Sequence, residues 1–371
     1  MKLAIVRQKY TPYGGAERFV ERALEALAAK GVDVTMVARK WQGEAAAGVH
    51  ALRLDPFYLG RTWRDASFSR AVQRLIAERR FDLVQSHERI PGCDIYRAGD
   101  GVHATWLELR ARASDRLSPW HRYTLRAEAA MFRDPALRAV VCNSRMVRDD
   151  IARRFGVSGD KLHVIYNGVD LEDFHPRLRR ERGEELRRKS GIAAGAPVLL
   201  FVGSGYERKG LPELLRALAR MRHRDATLWV VGRDKQEGLM RKLAQTLGVD
   251  ARVMFLGGQQ DVRPFYGAAD VFALPTRYDP LPNAALEALA CGLPVLTTPN
   301  CGAAELLDAG CGAVVAAGDV AAIAAGLDAL CSSAALMRDV ARGAVAHLDP
   351  AGMAAQLVAL YAGLMEAGRV K

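Results

Sequence analysis

Arg277-Tyr278-Asp279-Pro280-Leu281-Pro282-Asn283-Ala284-Ala285-Leu286-Glu287-Ala288-Leu289-Ala290-Cys291-Gly292-Leu293-Pro294-Val295 is the stretch whose reading decides the fold. A Pro-rich loop carries one carboxylate, Asp279. A short helix is predicted from about Asn283 to Cys291 and carries a second, Glu287. Gly292 stops that helix, and Leu293-Pro294-Val295-Leu296 opens a buried strand. The backbone N–H groups at the helix start suit an anion such as a diphosphate. Glu287, one turn inside, is within reach of sugar hydroxyls. Taken alone, the same residues also read as a loop-helix-strand unit with a surface acid, because helix starts often bear acids for dipole reasons.

Working outward, short apolar runs alternate with helical patterns along the whole chain, which favours parallel α/β sheets. Leu3–Arg7, Val32–Ala38, Phe81–Ser86, Ala139–Asn143 and Leu162–Tyr166 read as strands. Ala16–Lys30, Phe68–Arg79 and Ser144–Phe155 read as helices. The composition shifts at the charged, Arg-rich segment Pro176–Lys189. A second α/β series then begins with Pro197–Gly203 and continues through Thr227–Gly232, Val253–Leu256, Val271–Leu274 and Pro294–Thr298. Two nucleotide-fold domains joined near Asn167–Asp170 is the simplest account, with a last helix at about Met353–Ala367.

The 371 residues leave room for two domains, and half of them are hydrophobic, enough for a sizeable core. No continuous apolar run reaches the ~18–20 residues of a membrane span. The N-terminal run is too short for a secretion signal and reads as a first strand. The expectation is a cytoplasmic protein. Its six cysteines form no C-x-x-C pair and no cluster with metal spacing, so buried free thiols are expected rather than structural zinc or disulfides. The net charge of +11 is uneven: residues 1–180 hold 32 Lys and Arg against 22 Asp and Glu, which accounts for nearly all of it. A basic first half suits an anionic partner, whether glycolipid, membrane surface or nucleic acid, or is simply an Arg-rich solvated surface.

Five further groups of residues bear on function. Gly14 and Gly15 sit between a strand and a helix, where backbone can approach a ligand closely or merely turn. In Val202-Gly203-Ser204-Gly205-Tyr206-Glu207-Arg208-Lys209-Gly210 a strand ends in a Gly-rich turn with two cations, a planar fork and a point charge, both suited to a diphosphate. Gly232 and Arg233 lie at another strand end, where such sheets bind ligands. In Pro91–His103, Asp100 stands between two glycines with His103 three residues on, and either could orient or deprotonate a hydroxyl. No G-x-G-x-x-G fingerprint or phosphate-binding P-loop is present. Trp106 to Arg133 mixes aromatic and aliphatic residues with six arginines. That mix suits an anionic membrane, a nucleic acid, or one packed face of an Arg-rich helix.

Two acids in this spacing followed by A-x-A-C-G-x-P-V resemble the E-x7-E signature of retaining GT-B glycosyltransferases of family 4. The Pro91–Asp100 and Gly203–Gly210 patterns are similar to the lipopolysaccharide core glucosyltransferase I group. The resemblance covers nearly the whole chain. It implies a GT-B fold, two Rossmann-like domains facing each other across a cleft. Residues 1–167 would be the acceptor-side domain, with a returning C-terminal helix at about 353–371, and 168–352 the nucleotide-sugar domain.

It also implies hexosyl transfer from a nucleotide-sugar, with UDP as the expected nucleotide, to a lipopolysaccharide-core or other lipid-linked glycan. No metal or other cofactor is expected. Asp279 stands where the family has Glu and would contact the donor sugar; Glu287 would contact the ribose. Arg208, Lys209 and N–H groups at Asn283, Ala284 and Ala285 would hold the diphosphate, with Pro282 beside them. Gly14, Gly15, Ser204, Gly232 and Arg233 would line the donor, Ser204 replacing the usual Arg. Asp100, ahead of His103, would act at the acceptor. Residues 106–133 would touch the membrane from the cytoplasmic side, and nucleic acid is not an expected partner. The alternatives are a nucleotide-sugar epimerase of similar build and a non-enzymatic basic membrane- or nucleic-acid-binding protein.

Overall fold

The structure is a computed structural model that describes residues 1–10, 31–43 and 48–369. The chain divides into two compact units, Met1–Gly168 with Pro350–Lys371, and Val169–Asp349. In the first, β1 (Lys2–Tyr10), β2 (Asp33–Trp41), β3 (Val49–Arg53), β4 (Leu83–Ser86), β5 (Ile95–Arg97), β6 (Ala139–Cys142) and β7 (Leu162–Val164) form one sheet in the order β3-β2-β1-β4-β5-β6-β7. Every pairing is parallel. Its helices are α1 (Gly60–Glu78), α2 (His103–Arg110), α3 (Pro119–Arg133) and α4 (Arg145–Phe155).

The second unit begins with α5 (Glu184–Lys189). It continues through β8 (Val198–Val202), α6 (Leu211–Arg220), β9 (Thr227–Val231), α7 (Glu237–Thr246), β10 (Val253–Gly257), α8 (Arg263–Ala268) and β11 (Val271–Ala273). It ends with α9 (Asn283–Ala290), β12 (Val295–Thr297), β13 (Gly312–Val314) and α10 (Val320–Gly343). Its sheet is also parallel, in the order β10-β9-β8-β11-β12-β13. The last helix, α11 (Pro350–Arg369), belongs to the first unit: Met353, Leu357 and Tyr361 pack on Leu3, Ile5, Leu83 and Ile95.

Parallel strands are covered on both faces, so they need continuous apolar runs rather than alternation. Val198-Leu199-Leu200-Phe201 is fully buried, as are Leu228-Trp229-Val230. Each sheet reverses strand order beside its first strand, between β1 and β4 and between β8 and β11. Ligands of doubly wound sheets bind outside the carboxyl ends of the strands at such switch points.

Three strands escape the sequence reading. β3, β5 and β13 have five, three and three residues, too few to show a period. α1 starts at Gly60 rather than Phe68, because its first turns are polar and its buried residues begin only at Ser67. Trp106–Arg133 is not one helix: α2 ends at Ala111 in a left-handed conformation, a 3-10 turn spans Ala113–Leu117, and Ser118 caps α3. The predicted helix Ala16–Lys30, with Gly14 and Gly15 before it, lies outside the described residues.

Among the described residues one helix, α10, is long and apolar enough to cross a membrane, with a mean hydropathy of 1.8 over its most apolar window. Alanine raises that average without any continuous run of large apolar residues. α10 also buries Ile323, Leu327 and Leu330. Its buried Asp328 accepts the backbone N–H groups of Arg222 (3.0 and 2.9 Å) and His223 (3.1 Å) beyond α6. These contacts are those of a helix covering a sheet. The six cysteines are free, and all but the half-buried Cys331 are buried.

Candidate active site

The charged residues of the second unit converge at its switch point. β8 ends at Val202 and the chain enters the turn 203–210. Gly210 has φ +79°, and a Cβ there would stand 2.0 Å from the Pro275 carbonyl oxygen, so only glycine lets this turn approach the loop after β11. The loop that follows β9 holds the turn. The Asp234 carboxylate accepts the N–H groups of Gly205 (2.7 Å) and Tyr206 (3.2 Å), and the buried Tyr206 hydroxyl donates to the Gly232 carbonyl (2.9 Å). On the other side, the Arg208 carbonyl accepts from Arg277 N–H (2.8 Å) and Thr276 Oγ1 (2.9 Å).

This framework delivers both cations to Asp279. One carboxylate oxygen, Oδ2, accepts from Lys209 Nζ at 3.0 Å and from Arg208 Nη1 at 3.1 Å. Arg208 Nη1 also donates to the Tyr278 carbonyl at 2.8 Å. Asp279 is fixed through its backbone, its N–H donating to Asn300 (3.0 Å) and its carbonyl accepting from Gly302 (2.9 Å). Asp279 and Lys209 are buried, and Arg208 is a third exposed. Burial opposes the charged form of Asp279, but Lys209 and Arg208 outweigh it and hold the carboxyl below its usual range. Two cations against one carboxylate leave one surplus positive charge where a doubly wound sheet receives its ligand.

α9 follows directly. Pro282 occupies its cap position, and no side chain caps the first turn. Glu287 is half-buried on that helix, and its Oε2 accepts from the Tyr266 hydroxyl at 2.7 Å. Tyr266, on α8, is buried, and burial followed by the Glu287 carboxylate pushes its pKa well above the ordinary value, so the hydroxyl stays a donor. Ser204 and Arg233 are exposed near the same strand ends. A Cβ on Gly232 would stand 2.2 Å from the Gly203 carbonyl oxygen, and Arg233 lies against Gly258. Sequence reading missed the contributions of Asp234, Tyr206 and Tyr266.

In the first unit, Asp100 is exposed in the turn after β5. His103 is buried at the start of α2. Its backbone N–H donates to Glu128 (2.8 Å), and its ring Nε2 lies 3.0 Å from His121 Nδ1. Burial, then the nearby Arg89 and His121, pushes its pKa down to about 3. The imidazole is therefore neutral and occupied within this network, while Asp100 faces solvent. Gly14 and Gly15 lie outside the described residues. Glu88, just past β4, escaped the sequence reading; its carboxylate accepts Gln8 N–H at 2.8 Å, and burial raises its pKa.

Residues 13–173 match the family described as Glycosyltransferase Family 4, and residues 196–333 match Glycosyl transferases group 1. The lipopolysaccharide glucosyltransferase WaaG of Escherichia coli K12 is 29% identical over 85% of each chain. The crystal structure of WaaG, 26% identical to this chain, superposes with a TM-score of 0.84 over 97% of this chain and 100% of that one. The lipopolysaccharide core biosynthesis glycosyltransferase LpsE of Rhizobium meliloti 1021 is 31% identical over 77% of this chain and 76% of its own. Anabaena HepE in complex with UDP-glucose shares the fold, with a TM-score of 0.74 at 20% identity over 98% of this chain and 100% of that one. The epimerase and non-enzymatic readings gain no support from these matches. The chain belongs to glycosyltransferase family 4 and is a hexosyltransferase of the GT-B fold.

Proposed function

We propose that this enzyme moves a hexose from a UDP-sugar, with retention, to a lipopolysaccharide-core or related lipid-linked glycan. The observation that carries the donor assignment is the single Asp279 oxygen shared by Lys209 and Arg208 at the second switch point. In this reading the diphosphate meets the surplus positive charge and the N–H groups of Asn283 and Ala284 at the start of α9, with Pro282 bordering them and the Ala285 N–H closing the first turn onto the Pro282 carbonyl (3.0 Å). Glu287, oriented by Tyr266, takes the ribose, and Asp279 faces the donor sugar. Gly232, Arg233 and Ser204 border the nucleotide.

As the glycosidic bond breaks, negative charge grows on the leaving diphosphate. Cations fixed in advance stabilise that charge without reorganising. Lys209 and Arg208 thus do what a divalent ion does in other transferases, and no metal is required. A leaving phosphate oxygen accepts the proton of the attacking hydroxyl on the face the diphosphate leaves, which preserves configuration. Asp100 orients the acceptor. His103 is too weak a base to take the proton.

The same reading puts the enzyme at the cytoplasmic face of an anionic membrane. Phe57, Leu59, Trp63 and Leu117 are 73, 68, 43 and 79% exposed. Arg112, Arg116, Arg122, Arg126 and Arg133 are exposed in the adjoining segment. Trp120 donates to Asp65 at 2.7 Å and lies under Arg61, which ties the start of α3 to the start of α1. Apolar tips beside arginines suit a headgroup layer.

Calorimetric titration with UDP, GDP, UDP-glucose and UDP-N-acetylglucosamine, beside Glu287→Ala, tests the donor site. Micromolar binding of a UDP compound that is lost in the variant is expected. No binding of any of the four would refute the donor assignment.

A further inference from the structure

We propose that Arg7, His87 and Arg97 form an anion-binding site in the first unit that takes the phosphate monoester of a sugar carried by the acceptor. The assignment deepens the acceptor reading above and rests on it. Sheet register supplies the geometry. Val6 pairs with Ser86, and Ser86 with Tyr96. One residue further, Arg7, His87 and Arg97 fall in one row across β1, the end of β4 and β5. The His87 N–H continues that ladder, donating to the Val6 carbonyl at 2.9 Å. Residues in register on parallel strands share a face. Here it is the face of Leu3, Ile5, Leu83 and Ile95, which α11 covers. The row lies at the carboxyl edge of the sheet and spans its switch point, the position where doubly wound sheets take ligands.

The polar groups in this row are organised to donate. Arg7 Nη1 is buried with no hydrogen-bond partner, and among the described residues no carboxylate lies within ion-pair distance of Arg7. A buried guanidinium N–H without an acceptor is costly, and an anion would remove that cost. Arg97 is buried, and its Nη2 donates to Asn167 Oδ1 at 2.9 Å, which fixes the guanidinium at the strand end. Burial lowers its pKa to about 10, so it is still charged at neutral pH.

Between the two arginines, a chain of hydrogen bonds sets the tautomer of His87. The Tyr361 hydroxyl, on α11, donates to Gln85 Oε1 at 2.7 Å. That orients the amide so that Gln85 Nε2 donates to His87 Nε2 at 3.1 Å. The ring proton then sits on Nδ1 as a further donor. Burial, followed by Arg7 and Arg97, keeps the imidazole neutral. Two guanidinium groups and a neutral N–H donor match a dianion better than a single negative charge. Glu88, the next residue, lies past the end of β4; its carboxylate accepts the Gln8 N–H at 2.8 Å, and burial raises its pKa against the nearby Arg7 charge.

The test uses the full chain, with and without saturating UDP to occupy the second unit's cations, titrated with inorganic phosphate, glucose 6-phosphate and acetate. Phosphate is expected to bind in the millimolar range with UDP present, glucose 6-phosphate at least as tightly, and acetate at least tenfold more weakly. Arg7→Gln should weaken phosphate by about tenfold or more, the loss expected of a charge-assisted hydrogen bond, while leaving UDP affinity unchanged. Arg7→Lys should restore part of it. Arg97→Gln is the less secure variant because that side chain is buried, so Arg7 decides. Phosphate binding that is absent, equal to that of acetate, or indifferent to Arg7→Gln overturns the site. Exclusion of glucose 6-phosphate while free phosphate binds overturns the sugar-phosphate assignment. UDP is titrated separately. Its failure to bind would sink the donor reading, and the phosphate titrations without UDP would still decide this one.

Discussion

Replacing Asp279 by Asn separates two consequences that a simple loss of structure would not. At 3.0 and 3.1 Å the two ion pairs are each worth about 5 kcal/mol gross at an effective dielectric near 20. Desolvation offsets most of that. Breaking a buried pair nevertheless costs about 3–5 kcal/mol, because the remaining charge is stranded. The lower end applies here, since Arg208 is 34% exposed and solvent screens its share. About 3 kcal/mol corresponds to a drop in Tm of about 6–12 °C for a unit the size of Val169–Asp349.

The pH dependence has a definite sign. The folded pKa of Asp279 is depressed, so its stabilisation is complete above the unfolded value of 3.8 and is lost as pH falls through the lower folded value. The gap in Tm between wild type and variant should therefore be flat from pH 8 to 5 and close only in acid. Meanwhile two unneutralised cations should hold UDP no less tightly than before, whereas transfer should fall at least tenfold. Scanning calorimetry, UDP titration and a transfer assay on one preparation suffice. A Tm within 2 °C of wild type, or UDP bound tenfold more weakly, would refute the reasoning.

Tyr266→Phe removes the 2.7 Å hydrogen bond to the Glu287 carboxylate and a longer one, 3.3 Å, to the Ala284 carbonyl. The KM for the nucleotide-sugar should rise about tenfold with kcat within about threefold, and a fall in kcat alone would refute a positioning role at the ribose. His103 titrates at about 3 in the fold against about 6.5 unfolded, so the unfolded state binds the extra proton between those values. Stability should rise with pH across that window more steeply in wild type than in His103→Gln, followed by urea midpoints. Parallel slopes would show that the imidazole is not held neutral by this network.

The two doubly wound domains were legible because their central strands are long apolar runs, such as Val198–Val202, and because glycine marks their ends. The short strands β3, β5 and β13 were not, since three to five residues carry no period and their pairing is decided by the neighbour strand. The candidate site divides along the same line. Arg208, Lys209, Asp279 and Glu287 lie in local patterns that a linear reading can find. Asp234, Tyr206 and Tyr266 act across 21 to 29 residues of sequence, through hydrogen bonds that exist only after the strands have stacked. The row of Arg7, His87 and Arg97 is more distant still: nothing links these residues until the strand order is known.

Two departures from the family pattern, Ser204 for Arg and Asp279 for Glu, are coupled in the proposed site. Losing an arginine at the start of the turn removes a cation from the diphosphate. Arg208, four residues on, places Nη1 at 3.1 Å from the same carboxylate oxygen that Lys209 approaches at 3.0 Å. Two cations and one acid are thereby kept. The acid is shorter by a methylene, and its backbone is bonded to Asn300 and Gly302, so the carboxylate stays beside the cations. Restoring arginine at 204 alone would add a third cation and strengthen the hold on the product nucleotide. Restoring Glu at 279 alone would press a longer side chain into a buried, already paired position. Each reversion should therefore cost activity singly, and the double reversion should cost less than the sum of the two, which a double-mutant cycle on kcat/KM measures directly. Strict additivity would mean that the two substitutions are independent, and that Arg208 does not stand in for the missing cation.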